Sequence, residues 1–508
     1  MARGSDRRAR RRAAGGLNQL PWRQVSNPYP PLEILSADQL EAIHNASMRI
    51  LEEMGIEVMS DEARRLLRAK GARVDDAAQV VRLDRGLVAE LVAKAPASFT
   101  LTPRNPDHVL TIGGNAISFG LVAGPPNVHD RVRGRRAGNY RDYCDLVRLA
   151  QSFNIIHLIG NQVVAPVELD AETRHLDCYL ANVTWADKVY HCTSIGRQRA
   201  LDGIDMMAIS RGITREQMAD SPGVTTIISV NSPRRLDGAM CDGLMAMAEC
   251  GQSVCITPFT LMGAMTPVTL AGGLAQQNAE ALAGICLVQA VRPGCPTIYG
   301  AFTSNVDMRS GAPAFGTPEN VKATLAAGQL ARRYGLPYRS SNANASNAAD
   351  AQATYESAAS IWAGAMGHSN LLYHGAGWLE GGLTASFEKV VLDAEMLQEM
   401  AESLVPIQVD EASLALEAIA GVPPGGHFFG APHTMERYET AFYAPMLSDW
   451  RNYESWEEDG AKDATERATA IWQSLLESYQ APPMDPAVSE ALQAFVARRK
   501  EELRAVAA

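Results

Sequence analysis

The sequence predicts an α/β fold in which eight parallel strands close into a barrel, and two observations support that prediction. Short apolar or β-branched runs recur at intervals of about 29 to 43 residues, and each of the last seven follows a helix-like segment. The eight runs are AISFG (116–120), IIHLIG (155–160), KVYHCTS (188–194), VTTIISV (224–230), SVCITPF (253–259), PTIYGAF (296–302), PYRSSN (337–342) and LLYHGA (371–376). Eight such units over roughly 300 residues are typical of a TIM (β/α)8 barrel, whereas open doubly wound sheets have fewer strands.

The chain divides into four segments that differ in composition and in hydrophobic pattern. Residues 1–34 are Arg-rich at their start, and we expect a disordered basic tail and linker. Residues 35–110 are expected to form an N-terminal helical cap, because ADQLEAIHNASMRILEEMG, DEARRLLRAKG and DRGLVAELVAKAP have helical spacing. The barrel is expected over residues 111–405. Residues 406–508, which pass from a Gly/Pro-rich stretch to two helical patterns, are expected to form a C-terminal helical extension packed on the barrel.

Composition narrows the functional class. A net charge of −11 argues against nucleic-acid binding. The eight cysteines are scattered, with no CxxC pair and no Cys/His cluster at zinc spacing, so we expect reduced thiols in a cytoplasmic protein without a tightly bound metal of its own. No apolar run reaches the ~18–20 residues of a membrane span. No GxGxxG or GxxxxGK[ST] follows a predicted strand, so the nucleotide-binding fingerprints are absent.

The segments after the predicted strands are rich in Gly, Pro, Ser, Thr and Asn and poor in charge, and barrel enzymes place their sites there. Aromatic residues near these strand ends are Phe119, Phe259, Tyr299, Phe302, Tyr338, Tyr373, Trp378 and Phe387. Ring faces suit a quaternary ammonium ion, which has no hydrogen-bond donor, and each face contributes ~0.5–2 kcal/mol. For any single ring, ordinary packing in the barrel is the alternative interpretation.

A few polar residues also stand at the strand ends. His374 and Arg339 lie in the last two runs, and both could contact a substrate carboxylate. Arg309 is a further candidate for that contact, with a surface ion pair as the alternative. Glu380 could add long-range attraction for a cation.

Six motifs between roughly residues 35 and 500 carry a resemblance to a known family. They are NVHDRVRGRRAGNYRDYCDLVRLA, TPFTLMGAMTPVTLAGGLAQQNAEALAG, GAPAFGTPEN, DAQATYES, GAGWLEGGLTASFEKVVLDAEM and SDWRNYESWEEDGAKDATERA. Together they resemble the trimethylamine methyltransferase family, in its branch without pyrrolysine that includes glycine betaine methyltransferases. The resemblance implies a TIM barrel and methyl transfer from a methylated amine to the Co(I) of a corrinoid on a separate small protein.

The resemblance also gives a role to SSNANASNAADAQ, which ends at Gln352. In the founding enzymes of the family, a pyrrolysine stands a few residues before such a DxQ and makes a neutral methylamine cationic. The matching position here is Asn347, which cannot do this, and a quaternary substrate does not need it. The family's corrinoid signature DxHxxG has Ile155 in place of Asp, so the corrinoid is expected on another chain.

The leading hypothesis is a corrinoid-protein-dependent methyltransferase for a quaternary amine, glycine betaine or a related betaine, working with a small corrinoid protein and forming a homo-oligomer. A non-catalytic betaine sensor and a TIM-barrel lyase or hydrolase with a metal or essential base are the alternatives. The expected catalytic residues are Asn347 and His374. The expected substrate-binding residues are Phe259, Tyr299, Arg339, Tyr338, Gln352, Tyr373, Trp378 and Glu380.

Overall fold

The computed structural model of the protein describes residues 17–160 and 162–507. Of the tail and linker expected to be disordered over residues 1–34, residues 1–16 lie outside the described residues, whereas residues 17–34 pack on the body of the protein with Leu20 and Val25 buried. Its centre is a closed barrel of eight parallel strands, in which Leu372 of the last strand pairs with Phe119 of the first. The strands are β1 (Ala116–Leu121), β2 (Leu158–Ile159), β3 (Val189–His191), β4 (Val224–Ile228), β5 (Ser253–Ile256), β6 (Thr297–Gly300), β7 (Tyr338–Ser341) and β8 (Leu371–Ala376). Seven of the strands fall within their predicted runs and the first extends one residue beyond its run, so the predicted fold class is confirmed.

One long helix follows each strand and packs outside the barrel. The helices are α1 (Tyr140–Ser152), α2 (Arg174–Trp185), α3 (Arg197–Arg211), α4 (Gly238–Glu249), α5 (Leu270–Val291), α6 (Pro318–Arg333), α7 (Ala351–Met366) and α8 (Phe387–Ser403), with a short helix at Arg215–Met218. Five of the eight begin at a side chain that accepts a hydrogen bond from a backbone N–H of the first turn, each worth ~1 kcal/mol. These capping residues are Asn139, Asp237, Thr317, Asp350 and Ser386.

The N-terminal region covers α5, which is buried along most of its length. Its helices are Ala37–Arg49, continued by a π-helical turn at Ile50–Met54, then Asp61–Ala69 and Arg85–Val92. The region also contains strands, which the expectation of a helical cap largely missed. A four-stranded sheet is made of Ile56–Val58, Arg73–Asp75, Val80–Arg82 and Arg235–Leu236; Ser98–Leu101 pairs with Leu110–Gly113, and Val25–Ser26 pairs with β1.

Two small sheets cover the ends of the barrel strands, on the side where barrel enzymes carry their sites. One contains Asn127–Asp130, Gly134–Ala137, Trp378–Leu379 and Thr384–Ser386. The other contains Phe259–Met262, Phe302–Val306 and Pro313–Ala314. Both are built from the segments that follow β1, β5, β6 and β8, so they bring residues from distant parts of the sequence over the barrel.

Beyond α8 the chain has four short helices and then two long ones. The short helices are Glu411–Leu414, Leu416–Ala420, Pro432–Arg437 and Tyr453–Glu458. Two 3-10 turns lie earlier in the chain, at Pro106–His108 and at Glu380–Gly382. The long helix Ala464–Glu477 packs on α1 and α8, and Pro486–Ala507 packs on α2 and α3. No helix in the described part of the chain is long and apolar enough to cross a membrane.

Candidate active site

Five rings from three strand ends meet above the barrel and form what we call the aromatic cluster: Phe259, Phe302, Phe315, His374 and Trp378. The centroid of the Phe302 ring lies 5.1 Å from that of Phe259 and 5.2 Å from that of Phe315. The ring of His374 lies 4.1 Å from that of Trp378, and both lie 6.0 Å from that of Phe302. Phe302 is therefore the common neighbour of all four other rings.

A bulge in β8 sets the position of His374. The pairing of β8 with β1 shifts between Leu372 and Ala376, and His374 has a φ of 54°, a conformation that is uncommon for a residue other than Gly. The bulge lets the rings of both Tyr373 and His374 reach the inside of the barrel, where they lie 4.7 Å apart. Burial, followed by the charge of Arg339, holds the pKa of His374 well below its ordinary value, so this ring is neutral.

Arg339 lies below the aromatic cluster on β7 and is only 1% exposed. Its guanidinium carbon is 5.3 Å from the centre of the Phe302 ring and 5.4 Å from that of Tyr373. Nη1 donates to the carbonyl of Ala301 at 3.3 Å, Nε has no hydrogen-bond partner, and no carboxylate of the described residues forms an ion pair with it. Burial lowers the pKa of Arg339, but a guanidinium remains charged in proteins. Within the described residues, the barrel thus holds a buried cation without a carboxylate partner.

His191, at the end of β3, supports Tyr373 of β8 across the inside of the barrel. Nε2 of His191 accepts a hydrogen bond from the N–H of Ile227 at 3.2 Å. Burial lowers the pKa of His191 to about 3, so the ring is neutral and its proton lies on Nδ1. Nδ1 therefore donates to the hydroxyl oxygen of Tyr373. This orients the Tyr373 ring beside Arg339.

The loop 342–350 after β7 is held by one buried carboxylate. Oε2 of Glu356 accepts from the N–H groups of Ala345 and Ser346 at 2.9 and 3.0 Å. Oε1 of the same side chain accepts from Nε2 of Gln352 at 2.8 Å. Because an ionised carboxylate binds N–H groups more strongly than a neutral acceptor does, Glu356 fixes the path of this loop.

The loops after β7 and β8 are also tied to each other. The N–H groups of Glu380 and Gly381 each donate at 2.9 Å, to the carbonyls of Ser346 and Asn344 respectively. On the other side of Trp378, the N–H of Gly377 donates to Asp393 at 2.8 Å. The backbone on both sides of Trp378 is thus fixed by hydrogen bonds.

The predicted site residues divide into two groups. Phe259, His374 and Trp378 are in the aromatic cluster, and Arg339 and Tyr373 lie directly below it. The remaining five predicted residues are placed elsewhere.

Tyr299 and Tyr338 point away from the barrel interior, so the structure does not bring them to the expected cage. The hydroxyl of Tyr299 donates to Asn278 on α5 at 2.9 Å, and that of Tyr338 donates to the carbonyl of Thr324 on α6 at 2.8 Å. Side chains alternate along a strand, and Arg339 occupies the inward position next to Tyr338.

The other three lie around the rim. Asn347 is exposed in the loop after β7, and Gln352 is exposed while bound to Glu356. Glu380 binds Nε of Arg135 at 2.9 Å rather than facing the rings. Arg309 is also exposed, in the turn before Pro313–Ala314.

Sequence reasoning missed His191 and Phe315 as site residues and did not select Phe302. His191 carried one signal, a polar residue at an inward position of a buried strand. Phe315 stands in a loop, where no periodic pattern indicates which way a ring points.

A large space elsewhere in the molecule does not have the features of an active site. It measures about 1350 Å³ and is lined entirely by residues between Asp410 and Arg437, of which none is buried. Active sites combine enclosure with converging polar groups, and the group around Arg339 has both. We therefore place the candidate active site at the aromatic cluster.

Within residues 17–160 and 162–507, no group of three or more His, Cys, Asp or Glu side chains could hold a metal ion. All eight cysteines are free thiols, and seven of them are buried.

Comparisons with known proteins agree on one family. The sequence profile described as "Trimethylamine methyltransferase (MTTB)" matches residues 1–504. A glycine betaine methyltransferase of Desulfitobacterium hafniense strain Y51 is 36% identical over 475 residues, which cover 93% of this chain and 98% of that protein. A trimethylamine methyltransferase of the same species, strain DSM 10664 / DCB-2, is 28% identical over 92% of this chain and 94% of its own length.

Similarity to solved structures is weaker. The monomethylamine methyltransferase of Methanosarcina barkeri superposes with a TM-score of 0.48 and 12% identity, over 86% of this chain and 92% of that chain.

Proposed function

The chain belongs to the trimethylamine methyltransferase family and is a methyltransferase, and from this premise we propose that its methyl donor is glycine betaine or a related betaine. We further propose that the acceptor is the Co(I) of a corrinoid on a separate small protein. The family membership confirms the resemblance drawn from the six motifs. The observation that carries the proposal is the buried Arg339 beside the aromatic cluster.

A betaine has the two charges that this arrangement suits. Its carboxylate would pair with the guanidinium of Arg339, which has no carboxylate partner among residues 17–160 and 162–507. Its trimethylammonium group would lie against the aromatic cluster, in which Phe302 and Trp378 pack edge to face with their ring centroids 6.0 Å apart. Trimethylamine and choline have no carboxylate, so they would gain no ion pair with the buried guanidinium.

The neutrality of the two buried histidines supports the same assignment. His374 and His191 are uncharged because burial lowers the pKa of each. A protonated imidazole in the aromatic cluster would repel a quaternary ammonium ion. The two imidazoles therefore add no positive charge beside a bound cation.

Methyl transfer from a quaternary amine requires little acid–base chemistry from this chain. The C–N bond breaks, its electron pair stays on nitrogen, and the demethylated product leaves as a neutral tertiary amine. A corrinoid on the docked partner would supply the nucleophile. The residues described here would bind the substrate, exclude water from it and hold one methyl group toward the open end of the barrel. No proton has to be moved at His374 or at Asn347.

Asn347 keeps a proposed role at the mouth of the site. It is exposed in the loop that Glu356 holds, on the side of the barrel where the strands end. There it would contact the substrate or the docked corrinoid protein, without forming a covalent bond to the amine.

Incubation with Co(I) cobalamin and a panel of amines tests the proposal. The panel contains glycine betaine, proline betaine, carnitine, choline, tetramethylammonium and trimethylamine, and the absorbance change to methyl-Co(III) reports transfer. We expect conversion with a betaine and little with trimethylamine. Absence of conversion with every quaternary amine would overturn the proposal, and binding of a betaine without conversion would support a sensor instead.

A further inference from the structure

An ion pair is buried on α8, behind the segment that carries Trp378. Lys389 and Asp393 lie one helical turn apart, and their side chains are 1% and 0% exposed. Nζ of Lys389 donates to Oδ1 of Asp393. Burial lowers the pKa of Lys389 and raises that of Asp393, because both charges are kept away from water. A buried ion pair is often no more stabilising than apolar side chains of similar volume, so stability alone does not account for this one.

The carboxylate of Asp393 fixes the backbone immediately before Trp378. Its Oδ2 accepts a hydrogen bond from the N–H of Gly377 at 2.8 Å. Gly377 has a φ of 100°, and a Cβ atom added there would lie 2.8 Å from Cγ2 of Val390 and 3.0 Å from Cγ1 of Val122. The position therefore requires a glycine, whose backbone lies directly against α8. Asp393 thus sets the direction in which the chain enters Trp378.

Ser357 of α7 connects the same ion pair to the loop after β7. Its hydroxyl accepts from Nζ of Lys389 at 2.6 Å and from Nδ2 of Asn344 at 3.0 Å. The hydroxyl also lies 3.1 Å from Oδ1 of Asp393, to which it donates. Its proton and both lone pairs are thus used. The carbonyl of Asn344 in turn accepts from the N–H of Gly381 at 2.9 Å.

These hydrogen bonds reach the backbone on both sides of Trp378. One path ends at Gly377, and the other ends at Gly381 in the turn that follows the tryptophan. A Cβ atom at Gly382 would lie 2.5 Å from Cζ2 of the Trp378 ring, so this turn packs directly on the indole. Because the centroids of the Trp378 and His374 rings are only 4.1 Å apart, a shift of the backbone would change how the two rings pack.

We propose that Asp393 is a positioning residue for methyl transfer, which holds the Trp378 ring in place for the cation of the substrate. Lys389 neutralises the charge of Asp393 in the interior. The inference rests on the proposed function, in which the quaternary ammonium group lies against the aromatic cluster. Asp393 contacts the backbone of Gly377 rather than the rings of the cluster, so it acts on the reaction only through Trp378.

Two double variants test whether the hydrogen-bond acceptor is what matters. Lys389→Met/Asp393→Ala removes both charges together and leaves the N–H of Gly377 without its acceptor. Lys389→Met/Asp393→Asn also removes both charges, but the new amide oxygen can accept from Gly377 while its NH₂ group donates to Ser357 in place of Lys389. Both variants avoid leaving one unpaired charge in the interior.

The rate of methyl transfer to Co(I) cobalamin is the functional measurement. We expect kcat/KM to fall about tenfold or more in the first variant and to stay within about threefold of the wild type in the second. The loss should be the same with glycine betaine and with tetramethylammonium, since both carry the quaternary nitrogen that Trp378 is proposed to contact. The Tm of the second variant should remain close to that of the wild type.

Hydrogen exchange at the amide of Gly377 does not depend on the substrate. It should become about tenfold faster in the first variant and remain at the wild-type rate in the second. The matched control is Glu90→Ala/Lys94→Met, which removes an ion pair of the same four-residue spacing, 2.8 Å long, from the surface of the N-terminal region. That control should change neither kcat/KM nor the exchange at Gly377.

An unchanged kcat/KM in the first variant, an equal loss in both variants, or unchanged exchange at Gly377 would overturn the proposal. If the first variant does not fold, the second decides: wild-type kcat/KM supports the proposal, and a tenfold loss in a folded protein overturns it. A wild-type protein that transfers no methyl group from any quaternary amine would overturn the proposed function instead, whereas the exchange at Gly377 would still report whether Asp393 holds this backbone.

Discussion

Replacement of Arg339 by Met should separate the binding of the substrate's carboxylate from the binding of its cation. Met keeps much of the apolar stem of the side chain and removes the charge. A paired guanidinium–carboxylate contact in a buried site includes hydrogen bonds worth ~1.5–3 kcal/mol each, so its loss should cost about 3 kcal/mol. Since 1.4 kcal/mol corresponds to a factor of ten, kcat/KM for glycine betaine should fall by roughly 100-fold.

The same variant should retain its fold. In the free protein Arg339 gains only the hydrogen bond to Ala301 and the neighbouring rings, while its Nε lacks a partner. Exchange of a buried, poorly paired charge for an apolar side chain is often neutral or stabilising, so we expect the Tm to stay level or rise.

The assay follows methyl-Co(III) formation with glycine betaine and with tetramethylammonium, which has no carboxylate. The variant should lose activity toward the first and keep that toward the second. A matched control is Arg333→Met, which removes an arginine that pairs with Glu41 on the outside of the barrel at 2.6 Å. Its kcat/KM should not change. Equal losses for both substrates in the Arg339 variant, or a Tm lowered by many degrees, would refute the reasoning.

Three further outcomes are expected. Trp378→Ala should weaken binding of every quaternary amine by ~1–2 kcal/mol, whereas Trp378→Phe should retain most of the affinity, because the cation contacts a ring face. Equilibrium binding of tetramethylammonium measures the difference, and equal affinities of the two variants would contradict the prediction. Glu356→Gln should lower kcat more than it raises KM. Hydrogen exchange at Ala345 and Ser346 should become faster in the same variant, because Glu356 accepts hydrogen bonds from both N–H groups. Unchanged exchange would contradict this role. Burial lowers the pKa of His191 to about 3, so only its unfolded form takes up a proton between pH 6.5 and 3. Its contribution to the free energy of unfolding therefore falls as the pH is lowered through that window, by at most ~1.4 kcal/mol per pH unit. His191→Gln should make stability less sensitive to pH there, as urea unfolding at pH 4.5 and 7 would show; an identical pH dependence would contradict the assignment.

The sequence was sufficient for the barrel because its strands are buried on both faces. Runs such as VTTIISV and SVCITPF are almost continuously apolar or β-branched, and helix-like segments of suitable length separate them. The strands of the N-terminal region were harder to predict. Ile56–Val58, Arg73–Asp75 and Val80–Arg82 have three residues each, too few for an alternating pattern to be recognised.

The site could be predicted only in part because neighbouring strand residues face opposite sides. Tyr338 and Arg339 are adjacent, and a shift of one residue would exchange the ring and the charge between the helices and the interior. The sequence contains no signal for the bulge that brings both Tyr373 and His374 inside. Phe315 reaches the aromatic cluster from a loop, so its position depends on the tertiary fold alone.

The most direct test of the account is the rate of methyl transfer to Co(I) cobalamin from glycine betaine relative to tetramethylammonium, measured with the wild-type protein. Both donors carry a quaternary nitrogen, and only glycine betaine carries the carboxylate that Arg339 is proposed to bind. The account predicts methyl-Co(III) formation with glycine betaine at a kcat/KM roughly 100-fold above that for tetramethylammonium. Equal rates for the two donors, or no methyl transfer from glycine betaine, would contradict it.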